Sequence, residues 1–485
     1  MLEKTKIAVV GGGVSGASMA LYLGQLGVNV TLFEKEPSLI SGPPFCHLHA
    51  GGNLYREISD KQCITLLKQS IDFLRFYPFI VDYRPTVIVL PISDRGTPEV
   101  LLPRLELLKS KYDDLITADE KNKVLGESCD YYKLYSREEI NSLKEQSVVS
   151  RPKTCDDWMI PVTKNIDLEK VQFPLIMVQE YGLNLFRLAA GTSLALEQME
   201  SVTLRMNTIV SNIQEECQSN AWRITYIKDD ETHNERFDYL INAAGFRTGK
   251  IDDMLGAPCK RMVEFKAAYV SKWDKGSDTL FPEIIFHGER GTPQGMGQFT
   301  PYPGGYFQLH GMTKDITLYE DGLVSTTALS CQPQLGQSFI EKIEKSWTKE
   351  ETSERTTSAI KHISRFIPAF SKAEVGSKPL FGAQQIPGDD PTLRVAEVSF
   401  PAERYARCEI VKVSSVIDMI DAIIGQFIQL GFLDKSVQGE RDFSYLKNLT
   451  EDDIAHFAQT LCKERDYPPC LANRNVGTSN DPIHS

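Results

Sequence analysis

The chain has 485 residues, of which 41% are hydrophobic, so it exceeds the length at which one hydrophobic core usually keeps growing, and two domains are expected. Its formal net charge is -12, from 65 acidic and 53 basic residues, with no block of Lys or Arg. This balance excludes nucleic acid as an expected partner. The ten cysteines are irregularly spaced, which indicates buried reduced thiols and predicts no metal site.

Targeting and membrane signals are missing from the sequence pattern. The apolar run at residues 7–10 passes directly into glycines, so it is too short for a signal peptide. No stretch reaches about 18 uninterrupted apolar residues, so no integral membrane segment is expected. We therefore expect a cytoplasmic protein.

The N-terminal segment, residues 6–36, predicts one βαβ unit. It combines an apolar strand at 7–10, a glycine turn, a segment with helical periodicity and a second strand at 28–33. This order is typical of a Rossmann-type, dinucleotide-binding α/β domain.

Three glycines in this unit satisfy the G-x-G-x-x-G pattern. Gly11 allows the tight turn, Gly13 lets a pyrophosphate approach the backbone, and Gly16 lets the helix pack closely on the strand. The helix N-terminus favours the anion. Glu34, 18 residues after Gly16, can accept hydrogen bonds from both ribose hydroxyls and disfavours the 2′-phosphate of NADP. FAD and NAD both carry the ADP half that such a unit binds.

A second segment separates these two cofactors. Residues 237–251 (FDYLINAAGFRTGKI) form an apolar strand that ends in Ala243, Ala244 and Gly245. With the N-terminal unit, this pattern resembles the D-amino-acid oxidase-like superfamily of FAD-dependent oxidoreductases. In that superfamily a small-residue turn passes beside the FAD, where larger side chains would block the approach. The resemblance extends from about residue 6 to about residue 427 and implies FAD as the cofactor.

The resemblance also implies the domain organisation. It predicts an α/β protein with a Rossmann-type FAD-binding domain, split in sequence, and an α+β substrate domain on a mostly antiparallel sheet. The FAD-binding domain is expected at residues 1–80, 180–258 and 376–430, and the substrate-capping domain at 81–179 and 259–375. Residues 431–485 are expected to form a helical extension and, from residue 466, a flexible tail.

A helix near residue 416 is expected to close the FAD site. Ser414 or Ser415 is a suitable N-cap, Asp418 lies in the first turn, and apolar residues follow at helical spacing. In the family this helix N-terminus faces the flavin pyrimidine, although an ordinary capped core helix has the same pattern. The full set of expected cofactor contacts is Gly11, Gly13, Val14, Ser15, Gly16, Glu34, Lys35, His49, Gly51, Ala243, Ala244, Gly245, Ser414 and Ser415.

His49 begins the sequence H-A-G-G, which resembles a loop in which dimethylglycine dehydrogenase and its relatives attach FAD covalently. Leu48 stands where those relatives usually have Trp, so covalent attachment through His49 is not favoured. Noncovalent contact with the flavin and the absence of any flavin role both stay open for this histidine.

The resemblance implies hydride transfer to flavin N5 from a substrate carbon that bears an amine or a hydroxyl, in a small substrate expected to contain a carboxylate. The protein must orient that carbon, bind the carboxylate and accept a hydroxyl proton. Guanidinium groups suit the carboxylate, and the candidates are Arg56, Arg290, Arg394 and Arg404. The candidates for proton transfer or orientation are His287, His310, Tyr302 and Tyr306. Of all these, His310, Tyr306 and Arg56 are the predicted catalytic residues.

Several functional questions stay open at this level. No local motif separates amine from 2-hydroxy-acid substrates, and the acceptor is oxygen, a quinone or an electron-transfer protein. Two different functions compete with such an enzyme: an FAD-binding protein with a structural or regulatory role, and an NAD-dependent dehydrogenase.

Overall fold

The computed structural model describes residues 5–42, 48, 58–216, 220–274, 279–441 and 444–475. The strands in these ranges are β1 (Lys6–Val10), β2 (Asn29–Phe33), β3 (Val81–Asp82), β4 (Thr86–Val89), β5 (Tyr132–Tyr135), β6 (Leu175–Val178), β7 (Gly182–Leu183), β8 (Val202–Arg205), β9 (Ile209–Glu216), β10 (Ala221–Lys228), β11 (Glu231–Phe237), β12 (Tyr239–Asn242), β13 (Arg261–Lys272), β14 (Glu283–Phe286), β15 (Gly297–Tyr302), β16 (Tyr306–Gly311), β17 (Leu323–Ser325), β18 (Glu374–Val375), β19 (Leu380–Pro387), β20 (Val398–Ala402) and β21 (Tyr405–Cys408). The α-helices are α1 (Val14–Gln25), α2 (Asp60–Phe76), α3 (Leu102–Ala118), α4 (Arg137–Lys144), α5 (Cys155–Asn165), α6 (Leu185–Glu197), α7 (Thr248–Leu255), α8 (Gln337–Glu344), α9 (Lys349–Ser364), α10 (Val416–Gln429), α11 (Ser444–Lys447) and α12 (Glu451–Glu464).

The first sheet has the strand order β20-β21-β12-β1-β2-β8. All neighbouring strands are parallel except the edge pair β20 and β21. Helices α1, α6 and α10 cover one face, and the meander β9-β10-β11 covers the other. Because parallel strands bring their carboxyl ends to one edge, the turns after β1, β2, β12 and β21 meet there, as ligand-binding turns do in doubly wound sheets.

The second sheet is large and mixed, with the order β17-β13-β16-β15-β14-β4-β6-β5, and β18 and β19 also pair with β13. Its pairs are antiparallel apart from β14 with β4. Alternate residues of β13, such as Phe265 and Tyr269, pack with residues of α5, α8 and α9 in a second core. The predicted fold class is therefore correct: a Rossmann-type sheet accompanied by a mostly antiparallel one.

The opposite side of this sheet carries polar residues, because side chains alternate between the two faces of a strand. We call this side the polar face, and its residues are Glu264, Lys266, Glu283, His287, Gln298, Thr300, Gln308 and His310.

The apolar stripe predicted for α10 is confirmed, and α4 begins with a capping box. Ser136 and Glu139 make both hydrogen bonds of a capping box at the start of α4. The apolar stripe of α10 is buried, including Val416, Ile420 and Phe427. Within the described parts of the chain, no helix has the length and apolar character needed to cross a membrane.

The C-terminal segment corrects one prediction. A flexible tail was expected from residue 466, but Leu471 and Ala472 are fully buried in the core that also contains α6 and α12. Asn184 donates its side-chain amide to the Leu471 carbonyl at 2.9 Å. Burial of these apolar side chains explains why residues 466–475 pack on the protein; residues 476–485 lie outside the described residues.

Candidate functional site

The glycine turn after β1 forms a cradle at the carboxyl edge. Gly11 has φ +103°, and a Cβ there would lie 2.4 Å from the Ala243 carbonyl oxygen. A Cβ on Gly16 would lie 1.9 Å from the Gly11 carbonyl oxygen. A Cβ on Gly13, in contrast, would meet no heavy atom within 4 Å. Gly11 and Gly16 are thus required for packing, whereas Gly13 leaves space in front of the α1 N-terminus.

That N-terminus suits an anion. Gly13 is the N-cap of α1, no side chain caps it, and its first turn, which includes Val14 and Ser15, contains no acidic residue. The free backbone N–H groups and the positive end of the helix dipole therefore face the space beside Gly13.

Glu34 closes the other side of the cradle. Its carboxylate accepts the backbone N–H of Gly12 at 2.6 Å and that of Glu36 at 2.8 Å. Burial raises the pKa of Glu34, since only 7% of the residue is exposed. Lys35 is exposed and forms an ion pair with the adjacent Glu36. Each Glu34 oxygen keeps a lone pair for a further donor.

The small-residue turn after β12 packs directly against the glycine turn. The Ala243 N–H donates to the Val10 carbonyl at 2.8 Å, and the Asn242 side-chain oxygen accepts the Ala244 N–H at 3.3 Å. Gly245 has φ +58° and is exposed. The turn predicted from AAG therefore lies at the carboxyl edge beside Gly11.

A buried ionic network, which the sequence did not predict, supports this turn. Asp252 accepts from Arg261 at 2.7 Å, from Arg407 at 2.8 Å and from the Tyr405 hydroxyl at 2.6 Å. Tyr405 in turn accepts from the Asn242 amide at 2.8 Å. The network joins the start of β13 to β12 and β21, so it attaches the large sheet to the carboxyl edge. Its members are far apart in sequence and carry no local motif.

The N-terminus of α10 differs from its predicted form. A 3-10 turn, Val413–Ser415, precedes the helix, and Ser415 is the N-cap but makes no side-chain capping bond. Its hydroxyl instead donates to the side-chain oxygen of Gln69 at 2.8 Å, and Gln69 donates to Asp418 at 2.8 Å. The capping hydrogen bond expected from Ser415 to its own helix is therefore replaced by a hydrogen bond to Gln69 of α2. The Ser414 hydroxyl is buried without a hydrogen-bond partner among the described residues.

These observations test whether the site fits a dinucleotide cofactor. Gly13 provides an open cradle at an uncapped helix N-terminus, and Ser414 provides a buried polar atom that lacks a partner among the residues the structure describes. An unsatisfied buried hydroxyl costs free energy unless a ligand or water completes it. The residues present at the carboxyl edge therefore fit an elongated, phosphate-containing cofactor.

The predicted substrate-side residues lie mainly on the polar face. His310 is 9% exposed, with Nδ1 3.3 Å from the Ala267 carbonyl oxygen, and it pairs in register with Gln298. His287 follows β14 on the same face. Tyr302 donates its hydroxyl to Gln308 at 3.4 Å, and burial raises its pKa.

Tyr306 and Arg404 each lie at or directly before the first residue of a strand. Tyr306 begins β16 and its ring faces the Lys272 ammonium at 5.2 Å. Arg404 lies at the amino end of the first sheet, where its carbonyl accepts the Leu240 N–H at 3.0 Å. The suggestion that Arg404 clamps a substrate carboxylate is therefore wrong, because β12 places it at the edge opposite the glycine cradle.

The structure brings two other predicted arginines together around a charged group. Arg290 donates to Glu264, and Lys266 lies 3.2 Å from the same carboxylate. The charge of Arg394 also acts on Lys266 and lowers its pKa, after the larger effect of burial. Glu264 and Lys266 were not identified from the sequence, although two charged residues at alternate positions of an apolar strand are a recognisable signal.

A second charged group on the polar face was also missed. Glu283 is fully buried and accepts from Arg84 at 2.8 Å and from Gln298 at 2.7 Å. Three further predicted residues, His49, Gly51 and Arg56, lie outside the described residues.

Comparison with known proteins provides the family context. Residues 6–136 match the family model described as FAD dependent oxidoreductase (DAO). No curated protein sequence matches the chain.

Solved structures resemble the chain over most of its length. Glycine oxidase from Geobacillus kaustophilus is 12% identical, with a TM-score of 0.52, over 88% of this chain and 95% of that chain. The FAD-bound L-alpha-glycerophosphate oxidase from Mycoplasma pneumoniae is 17% identical, with a TM-score of 0.56, over 88% and 95%. The FAD complex of glycerol-3-phosphate dehydrogenase from Bacillus halodurans is 14% identical, with a TM-score of 0.56, over 96% and 74%.

At these identities the structural likeness establishes the fold. The family match confirms the resemblance to the D-amino-acid oxidase-like superfamily and, with it, the prediction of FAD as the cofactor.

Proposed function

We propose that this FAD-dependent oxidoreductase transfers a hydride to flavin N5 from the carbon that bears an amine or a hydroxyl in a small, carboxylate-containing substrate. The observation that carries the proposal is the attachment of the polar face to the carboxyl edge. Gln385 of β19 donates to the Cys408 carbonyl at 2.8 Å, and Arg261 of β13 pairs with Asp252 at 2.7 Å. The sheet that would hold the substrate is thereby tied to the turns that would hold the cofactor.

The described residues support FAD contacts at the carboxyl edge of the first sheet. The N–H groups at Gly13, Val14 and Ser15 would bind the pyrophosphate, and Glu34 would accept from the ribose hydroxyls. The hydroxyl of Ser414 and the positive end of α10 would face the flavin ring. Lys35, Ala243, Ala244, Gly245 and Ser415 complete this proposed set.

Bound FAD supplies the hydride acceptor, so few catalytic side chains are needed. His310 is the best-placed group to orient the substrate and, for a hydroxy acid, to accept the hydroxyl proton at an imidazole nitrogen. Tyr306 lies four residues along the same strand, about 13 Å away, so it would contact a different part of the site. Arg290 is a candidate to bind the substrate carboxylate, and Arg56, which lies outside the described residues, stays a second candidate.

Both substrate classes are supported by similar structures. One neighbour is a glycine oxidase and another is an L-alpha-glycerophosphate oxidase, so amine and alcohol oxidation both occur with this fold. The electron acceptor is oxygen, a quinone or an electron-transfer protein. The two-domain division set out above and the role of His49 belong to the same proposal.

The first experiment measures the spectrum of the purified protein and then screens amino acids, N-methyl amino acids, 2-hydroxy acids and glycerol phosphates for anaerobic bleaching of the flavin. We expect visible flavin absorption that one of these classes bleaches. Flavin that no substrate reduces would favour a structural or regulatory FAD-binding protein. A colourless protein that binds NAD would favour an NAD-dependent dehydrogenase.

The active substrate then tests the proton acceptor. His310→Gln should lower the rate of anaerobic flavin reduction by roughly 10²- to 10⁴-fold if the substrate is a hydroxy acid, because general base catalysis contributes about this factor. The control His233→Gln changes a half-buried histidine on β11, in the meander on the first sheet, and should leave the rate unchanged. An unchanged rate in His310→Gln would remove His310 from the mechanism.

The attachment of FAD is tested by acid precipitation. Yellow colour in the supernatant and none in the pellet is the expected result, and it excludes a covalent bond to His49. Flavin that stays with the pellet and is lost from it in His49→Ala would establish that bond.

A further inference from the structure

We propose that Lys266 and Arg290 form the anion-recognition pair of the substrate site and that Glu264 competes with the substrate anion for this pair, so that Glu264 sets the affinity for anionic substrates. This inference rests on the proposed function and adds the residue that determines substrate charge preference. We call the three residues the charge gate.

The geometry of the charge gate is that of an occupied anion site. The Lys266 ammonium lies 3.2 Å from Oε2 of Glu264, and Arg290 donates to the other oxygen, Oε1. The side chains of Lys266 and Glu264 are 19% and 9% exposed, and that of Arg290 is 40% exposed. Both oxygens of one carboxylate are therefore bound by cations, as those of a substrate carboxylate would be.

Glu264 and Lys266 lie on the face of β13 opposite to helices α5, α8 and α9. Their strand neighbours Phe265 and Ala267 belong to the core formed with α5, α8 and α9, so Glu264 and Lys266 point to the other face of β13. Further along that face, Val270 packs in the core of the first sheet. Glu264 and Lys266 thus lie on β13 between Arg261, which is bound to Asp252, and Val270, which packs in the core of the first sheet.

The arginine is held in place by its own loop. Arg290 follows β14, and the N–H of Gly291 donates to the Met312 carbonyl at 2.9 Å. The other guanidinium nitrogen of Arg290 lies 3.5 Å from the Met312 sulfur. This loop places the guanidinium next to Met312, which follows the last residue of β16 and is two residues beyond His310.

The charges around the charge gate favour an anionic ligand. Burial lowers the pKa of Lys266, the charge of Glu264 raises it, and the charges of Arg394 and Arg290 lower it further. The nearby acid Asp390 is exposed and accepts from Thr392 at 2.7 Å. Two cations, Lys266 and Arg290, therefore bind one largely buried carboxylate, which leaves an excess of positive charge around Glu264.

Glu264 takes two cations and lies on a face that also carries His310. A substrate carboxylate that enters here would find the donors aligned and one negative charge already present. Removal of that charge should therefore strengthen anion binding, and removal of a cation should weaken it.

The experiment measures the dissociation constants of two inert anions, acetate and inorganic phosphate, from the perturbation of the flavin spectrum in the FAD-loaded protein. Glu264→Gln should bind both anions about tenfold more tightly, and Lys266→Met should bind them about tenfold more weakly. The matched controls, with unchanged dissociation constants, are Glu289→Gln, an exposed residue in the same loop as Arg290, and Lys361→Met, an exposed residue on α9.

The outcomes separate this inference from the proposed function. If the wild-type protein binds no FAD, the proposed function fails. If FAD is bound but all variants bind the anions equally, or if Glu264→Gln weakens binding, the charge gate is only structural and the inference is wrong. Should Glu264→Gln fail to load FAD, Lys266→Met and Arg290→Met decide the question, because both must weaken anion binding.

Discussion

The glycine cradle and the polar face hold the two sides of the proposed reaction, and they are stabilised in different ways. In the cradle, contacts are backbone to backbone: a Cβ at Gly16 would lie 1.9 Å from a carbonyl oxygen. On the polar face, contacts are between charged side chains, such as Glu283 with Arg84 and Glu264 with Lys266. Substitutions in the cradle should therefore act through close packing, and substitutions on the polar face through charge.

The largest expected effect is at Gly16. Gly16→Ala should destabilise the protein by roughly 1–3 kcal/mol or more and abolish FAD retention, because the backbone of Gly11 must move. Gly13→Ala is the matched variant: its Cβ has free space, so urea unfolding should be nearly unchanged while FAD binding weakens. Equal stability of the two variants would contradict the packing argument, and tight FAD binding by Gly13→Ala would contradict the place assigned to the pyrophosphate.

A smaller effect is expected at Glu34. Glu34→Ala should weaken FAD binding about 10- to 100-fold, since hydrogen bonds to a charged group contribute about 1.5–3 kcal/mol, and the fold should be largely retained. The measurement is an FAD titration of the apoprotein. Glu200→Ala is the control, because Glu200 is exposed and precedes β8 at the opposite edge of the sheet. Undiminished affinity in Glu34→Ala would mean that the ribose is not bound there.

The smallest effect concerns acid stability on the polar face. Lys266 and Arg290 oppose the effect of burial and lower the pKa of Glu264 from 4.5 to about 2. A lowered carboxylate pKa stabilises the fold above pH 4.5, and this stabilisation is lost as the pH falls toward 2. Between pH 4.5 and 3.5, wild-type protein should lose about 1 kcal/mol of unfolding free energy more than Glu264→Gln. Parallel losses in urea unfolding would show that Glu264 is not held ionised by its neighbours.

Prediction from the sequence succeeded where the signal is local. The βαβ unit and the turn at Ala243 each depend on residues close together in the chain, and the structure has both. It was less successful at the start of α10, where Ser415 bonds to Gln69 and not to its own helix. A tertiary hydrogen bond replaced the local one there, and no spacing rule reports such a replacement.

The sequence by itself determined the cofactor class, because glycines at fixed offsets and a terminal carboxylate are required wherever a dinucleotide meets a helix N-terminus. Only the tertiary structure decided which charged side chains meet at the polar face. It excluded Arg404, which directly precedes β21 at the amino edge of the first sheet, and it joined Lys266 and Arg290 to Glu264. The physical reason is that strand pairing, and not position along the chain, brings these charges within reach of one another.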